Sequence, residues 1–115
     1  MKKDNTVYLR HILDAIHRIE TYIEGITYEN FIDNNLVQSA VIREIEIIGE
    51  ATKNLAGEFS DKYPNIPWRK MVGMRDKLIH DYLGVDLDAV WDTIEKDIPA
   101  LKNKLRNFIE KKARR

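Results

Sequence analysis

The densest group of polar side chains in the sequence is Met74-Arg75-Asp76-Lys77-Leu78-Ile79-His80-Asp81-Tyr82. An imidazole titrates near neutrality, so His80 is suited to accepting or donating a proton. A guanidinium is always charged and presents forked N–H donors, so Arg75 is suited to stabilising a phosphate on which negative charge accumulates. Together these two groups suffice for attack of a ribose 2′-hydroxyl on the adjacent phosphate, a reaction that needs no metal. It would cut RNA and spare DNA.

The spacing constrains that chemistry. At 100° per residue, Met71, Arg75, Leu78, Ile79 and Tyr82 share one helix face, which places Arg75 inside an apolar stripe. A guanidinium there must reach a carboxylate, a phosphate or solvent, because a buried unpaired charge costs several kcal/mol. Glu44, Glu46 and Glu50 of the preceding helix are the candidate partners. His80 lies five residues on, about 140° around an ideal helix from Arg75, so the two do not share a face of one straight helix. A joint site requires the helix to unwind near Gly84 or a second protomer to bring its own Arg and His. Asp76, one turn before His80, is placed to orient the imidazole or to fix the neighbouring arginine. Spacing alone also fits a structural role, with an ion-paired Arg75, His80 at a helix end and Tyr82 packed on the core.

The elements that must position these residues are all helical. Val7, Leu9, Ile12, Ala15, Ile16, Ile19 and Ile23 recur at threes and fours and predict a first helix from about Asn5 to Glu24, stopped by Gly25. Thr27 begins a short capped turn carrying Tyr28, Phe31 and Ile32, and Asp33-Asn34-Asn35 offers an N-cap for a second helix to about Leu55. Gly49 inside that helix costs about 1 kcal/mol relative to alanine, which points to close approach by a neighbouring helix. Residues 57–67 form the one long connection, where two prolines exclude a helix through most of it. A third helix is expected from Pro67 to about Tyr82, and a fourth, capped by Asp86 or Asp88, carries Val90, Trp91, Ile94, Ile98, Leu101, Leu105, Phe108 and Ile109 to the end. Pro99 predicts a kink near Glu95 to Ile98. The expected fold is all-α: one domain over residues 1–115, an up-and-down four-helix bundle with a short extra helical turn, whose broad apolar arcs suit a helix-packed homodimer, with a monomer as the alternative.

Composition excludes several classes. The 115 residues contain no cysteine, which removes disulfide scaffolds, thiol catalysis and Cys-ligated metal centres. Di-iron bundles need Glu-x-x-His on two helices, and no Glu-x-x-His occurs. His11 and His17 lie about 120° apart on their helix, so neither a metal nor any other cofactor is expected. The longest apolar runs are two or three residues, and the opening Met1-Lys2-Lys3-Asp4-Asn5 leads into an amphipathic segment, so no membrane association and a cytoplasmic location are expected. The net charge of zero conceals an asymmetry: residues 102–115 carry seven cations against Glu110 alone, +6, which leaves −6 on the rest. A basic end of that kind either complements a helix dipole or attracts a polyanion.

Arg75, four residues, His80, one residue, Tyr82 resembles the Arg-x4-6-His signature of the HEPN superfamily, in the Arg-x4-His-x-Tyr form of the HepT-type ribonuclease toxins. The likeness extends to Glu46-Ile47-Ile48-Gly49-Glu50-Ala51, to Pro67-Trp68 and Gly73-Met74-Arg75-Asp76, and to Val85-Asp86 with Val90-Trp91, spanning nearly the whole chain. The resemblance implies a HEPN-type bundle that forms a homodimer with Arg and His of both chains in one cleft, and metal-independent endoribonuclease activity on RNA such as tRNA or mRNA. It makes Arg75 and His80 the catalytic pair and Asp76, where many relatives have Asn, their polar support. It also implies a cognate antitoxin, a minimal nucleotidyltransferase that transfers AMP to Tyr82; that phosphate would lie seven residues from Arg75 on the same ideal face and could pair with it. On this view Lys77, Lys102, Lys104 and Arg106 become candidate contacts to the RNA backbone, with salt-dependent affinity. The competing expectation is a non-catalytic helical interaction module whose Arg75 and His80 are structural.

Overall fold

The computed structural model describes residues 5–55, 57, 61, 63–64, 66–80 and 84–113, those at 79, 80 and 108–113 by their backbone alone. Every regular element among them is helical: α1 (Asn5–Tyr22), α2 (Tyr28–Asp33), α3 (Asn35–Asn54), α4 (Trp68–His80), α5 (Leu87–Asp92), a π-helical turn (Thr93–Asp97) and α6 (Ile98–Ala113). The fold is all-α, as the apolar spacing predicts. Gly57 and Asp61 are helical too, so helix enters the connection from which it was expected to be excluded, because Pro64 and Pro67 both lie after these residues.

In α1 the three-four pattern becomes a buried stripe of Leu9, Ile12, Ala15, Ile16 and Ile19. The helix ends two residues before the predicted Glu24, and the chain turns at Gly25, whose φ of 73° is left-handed and unfavourable for any residue with a Cβ. Capping chemistry then sets two helix starts in succession. Thr27 Oγ1 accepts the Asn30 N–H at 3.2 Å to begin α2, and Asn34 Oδ1 accepts the Val37 N–H at 3.1 Å to begin α3. Gln38 ties them together, its Nε2 donating to the carbonyls of Phe31, which also accepts the Asn34 N–H, and of Ile32 at the end of α2.

Helix α3 packs along both α1 and α4, and α6 returns against α1. Val41, Ile45, Ile48 and Ala51 of α3 fill the centre with the α1 stripe, Met71, Leu78, Leu101 and Leu105. Glu44 is also buried there, and Arg18 satisfies it with a 2.7 Å Nε–Oε1 contact. Trp68 anchors the start of α4: its ring is buried and its Nε1 donates to the Tyr63 carbonyl at 3.0 Å. Of the two caps offered by sequence for the last helical segment, Asp86 is the one used, accepting the Ala89 N–H, while Asp88 accepts the Tyr28 hydroxyl instead.

The predicted kink takes a specific form. A proline ring clashes with the carbonyl four residues back and supplies no N–H, so Pro99 disturbs the turn around Glu95. The chain responds by widening into the π-helical turn at Thr93–Asp97, closed by the Ile98 N–H on the Thr93 carbonyl, and regular α-helix resumes through Pro99 itself. No helix among the described residues is long and apolar enough to cross a membrane.

Candidate active site

The site begins where α3 and α4 come closest. Gly49 has no side chain, and a Cβ built on it would lie 2.2 Å from Arg75 Cβ, 2.7 Å from Arg75 Cγ and 3.0 Å from the Met71 carbonyl oxygen. The missing Cβ lets the stem of Arg75 cross directly over the α3 backbone. The close approach expected from a mid-helix glycine is therefore made by the arginine of the polar cluster.

The guanidinium then finds its carboxylates. Arg75 Nη2 lies 2.7 Å from Glu50 Oε2, one residue after the glycine, and Nη1 donates to Asp76 Oδ1 at 2.9 Å. The Arg75 side chain keeps 22% of its surface exposed, enough to meet a ligand while its stem is packed. The hydrogen bond to Asp76, and then the charges of Glu50 and Glu46, hold the guanidinium even more firmly protonated than a free arginine, against a smaller opposing effect of burial. Lys53 Nζ approaches Asp76 Oδ1 at 4.0 Å and completes a line of alternating charge across the α3–α4 seam. Of the three glutamates offered by sequence, Glu50 makes the contact, Glu46 contributes only its field and Glu44 belongs to Arg18. Of the two roles read for Asp76, fixing the arginine is met by this hydrogen bond, and orienting the imidazole falls on the His80 side chain, outside the described residues.

Beside this seam runs a cleft of about 340 Å³. Arg75 of α4 forms part of it, α1 contributes Tyr8 and His11, and α3 contributes a stripe that includes Arg43, Glu46, Glu50 and Asn54. Tyr8 and His11 meet edge to face, with ring centroids 6.4 Å apart and planes at 89°. Sequence reasoning weighed His11 only as a metal ligand and passed over Tyr8 and Arg43. The available signal was a run of polar residues at helical spacing on α3, from Arg43 through Glu50 to Asn54, adjoining the Gly49 contact. Among the described residues no group of three or more His, Asp or Glu side chains has metal-holding geometry.

His80 closes α4, while its side chain and the whole of Tyr82 lie outside the described residues. The basic candidates separate. Lys77, Lys104 and Arg106 are exposed, whereas Lys102 is tied to Glu20 of α1 by a 2.8 Å contact and keeps only 22% of its side chain exposed.

Comparison with known proteins gives one consistent family. The family model described as "Ribonuclease HepT-like" matches residues 12–108. A protein of Thermococcus cleftensis named "Probable ribonuclease HepT" is 49% identical over 108 residues, covering 94% of this chain and 98% of that one. A Caldanaerobacter subterraneus protein named as a putative RNase is 42% identical over 104 residues, 90% of this chain and 93% of that one. A Methanocaldococcus jannaschii protein named "Gamma-glutamylcyclotransferase and putative RNase" is 49% identical over 110 residues, and the chain, 96% of it aligned, spans half the length of that relative. No solved structure matches the chain significantly.

Proposed function

The chain belongs to the HepT-like ribonuclease family, and from that premise we propose that it is a metal-independent endoribonuclease toxin with Arg75 and His80 as its catalytic pair. The observation that carries this reading is the setting of Arg75: a partly buried, permanently charged fork that lies at a cleft and already holds carboxylate oxygens in its anion-binding directions. A phosphate of RNA is the substrate group that fits the same fork.

The ribose 2′-oxygen attacks the adjacent phosphorus and the 5′-oxygen of the next nucleotide leaves, giving a 2′,3′-cyclic phosphate and a 5′-hydroxyl. His80 exchanges the protons, taking one from the 2′-hydroxyl or giving one to the departing oxygen. Arg75 stabilises the pentavalent phosphorane by charge and forked hydrogen bonds, and Asp76 holds the fork in place. The protein acts as a homodimer whose two chains contribute Arg75 and His80 to one cleft, so that residues on different faces of one helix work together. Tyr82 is the acceptor of AMP from a cognate minimal nucleotidyltransferase antitoxin, and the setting is cytoplasmic. The RNA backbone extends over the basic positions Lys77, Lys104 and Arg106, with Lys102 the member whose charge Glu20 already engages.

The rival reading, an interaction module with structural Arg75 and His80, draws on the same ion pairs, since an arginine held by two carboxylates also serves to tie α4 to α3. Cleavage separates the two. In EDTA, RNA is expected to yield fragments with cyclic phosphate ends, a strand with 2′-deoxy substitution to stay intact, and Arg75→Ala or His80→Ala to lower the rate by about 100-fold or more. Equal cleavage by all three proteins, or none by unmodified protein, would sink the nuclease assignment in favour of the module.

A further inference from the structure

The cleft holds more chemistry than the catalytic pair uses. Arg43 is exposed on its α3 wall and makes no ion pair among the described residues, whereas Arg75 on the α4 side is held by two carboxylates. Six residues separate Arg43 from Gly49, where Arg75 crosses, which is about 9 Å of helix rise. The two cations therefore sit at different levels of one cleft, with Glu46 between them on the same wall. On α1 the Tyr8 ring lies at right angles to that of His11.

We propose that this cleft is a nucleotide-binding subsite in which Arg43 takes a phosphate neighbouring the scissile one and Tyr8 stacks on the base between them. The proposal rests on the ribonuclease reading for its ligand and deepens it by assigning where the strand runs. A nucleotide brings an anion, hydrogen-bond donors and a flat face. The cleft answers each: a cation without a carboxylate partner among the described residues, an acidic acceptor in Glu46 suited to a ribose hydroxyl or an exocyclic amine, and an aromatic ring. Inorganic phosphate alone would gain nothing from the ring and would be repelled by Glu46. The volume of about 340 Å³ lies within the range of roughly 300–1,000 Å³ typical of small-ligand sites and admits about one nucleotide.

The test uses the full chain and a fluorescent 2′-O-methyl RNA oligonucleotide, which binds without being cut, titrated at several salt concentrations. Arg43→Gln is expected to weaken binding about tenfold and to lower the salt slope by about one, while Arg43→Lys keeps the slope. Tyr8→Leu is expected to weaken binding about tenfold with the slope unchanged, and Tyr8→Phe to bind as the parent does. With cleavable RNA, KM should rise in Arg43→Gln by more than kcat falls. Unaltered affinity in Arg43→Gln and Tyr8→Leu, a parent protein that does not bind the oligonucleotide, or equal affinity for AMP and the strand overturns the subsite. So does a change of oligomeric mass in Arg43→Gln, which would make Arg43 a contact between chains and not a contact to the strand. The two readings fail separately: cleavage that ignores Arg43→Gln removes the subsite and leaves the nuclease, whereas Arg43-dependent binding without cleavage does the reverse.

Discussion

Arg75 crosses α3 at Gly49, and the contact is too close for any side chain at residue 49. A Cβ there would stand 2.2 Å from the Arg75 Cβ, which belongs to the fixed stem of the arginine and cannot swing aside as a side-chain tip would. Gly49→Ala therefore has two opposed effects. Alanine favours the helix by about 1 kcal/mol, and overpacking costs about 1–3 kcal/mol because α4 must move away. The net expectation is a loss of stability of up to about 2 kcal/mol, seen as a fall of up to several degrees in Tm. Displacing α4 also displaces the guanidinium from Glu50, so RNA cleavage should fall further than the stability loss explains. A Gly49→Ala protein with parental Tm and activity would contradict the contact.

Glu50 and Asp76 hold the same guanidinium with different consequences for a substrate. Glu50 reaches Nη2 from α3, whereas Asp76 reaches Nη1 from the adjacent position on α4. A phosphate approaching from the cleft competes with Glu50, which also lines the cleft. Glu50→Gln removes the competing charge and should tighten RNA binding several-fold at low salt, as measured by titration with non-cleavable RNA. Asp76→Asn keeps an oxygen acceptor at the same place and should leave the cleavage rate within a few-fold, while Asp76→Ala, which removes the acceptor, should lower kcat. Weaker binding by Glu50→Gln would show that Glu50 orients the arginine more than it competes for it.

What could be read from sequence divides along a physical line. Periodicity reports the face of each helix, so the buried stripe of α1, the Asn34 cap and the need of Arg75 for a carboxylate were all legible. Gly49 was legible as a place of close approach because its cost in a helix demands a compensating contact. Periodicity does not say which faces meet. Tyr8 and His11 are some sixty residues from Arg75 in the chain, and only the packing of both α1 and α4 against α3 brings them to one cleft. Pro99 announced a disturbance, but whether a helix kinks or widens depends on how the next turn is anchored. Here Val90, Ile94 and Ile98 stay buried on both sides of the widened turn.

Lys102 and Arg106 test whether the basic end of the chain contacts RNA. Lys102 is engaged by Glu20 at 2.8 Å, whereas Arg106 is exposed. Arg106→Gln should lower the slope of log affinity against log salt by about one, and Lys102→Gln should change it by much less. A partly exposed pair such as Lys102–Glu20 contributes about 0–1 kcal/mol, so Lys102→Gln should move Tm little. Equal slopes in both variants and the parent would reduce the basic end to solubility and helix-dipole complementarity.

The regulatory expectation turns on Tyr82, two residues after His80 in sequence. In the transfer, the tyrosine oxygen attacks the α-phosphorus of ATP, pyrophosphate leaves, and an AMP group with a negative charge remains on the ring. On an ideal helix, position 82 shares the face of position 75, so the added phosphate offers Arg75 an anion in place of Glu50 and of the RNA. Intact mass after co-expression with a neighbouring nucleotidyltransferase should show whole AMP increments that disappear in Tyr82→Phe. Modified protein should bind the 2′-O-methyl oligonucleotide more weakly than unmodified protein, and the difference should shrink in Arg75→Gln if the phosphate acts by pairing with the guanidinium. Increments that persist in Tyr82→Phe place the acceptor elsewhere. A difference in binding that survives Arg75→Gln instead points to bulk, so that the modification blocks the strand without touching the arginine.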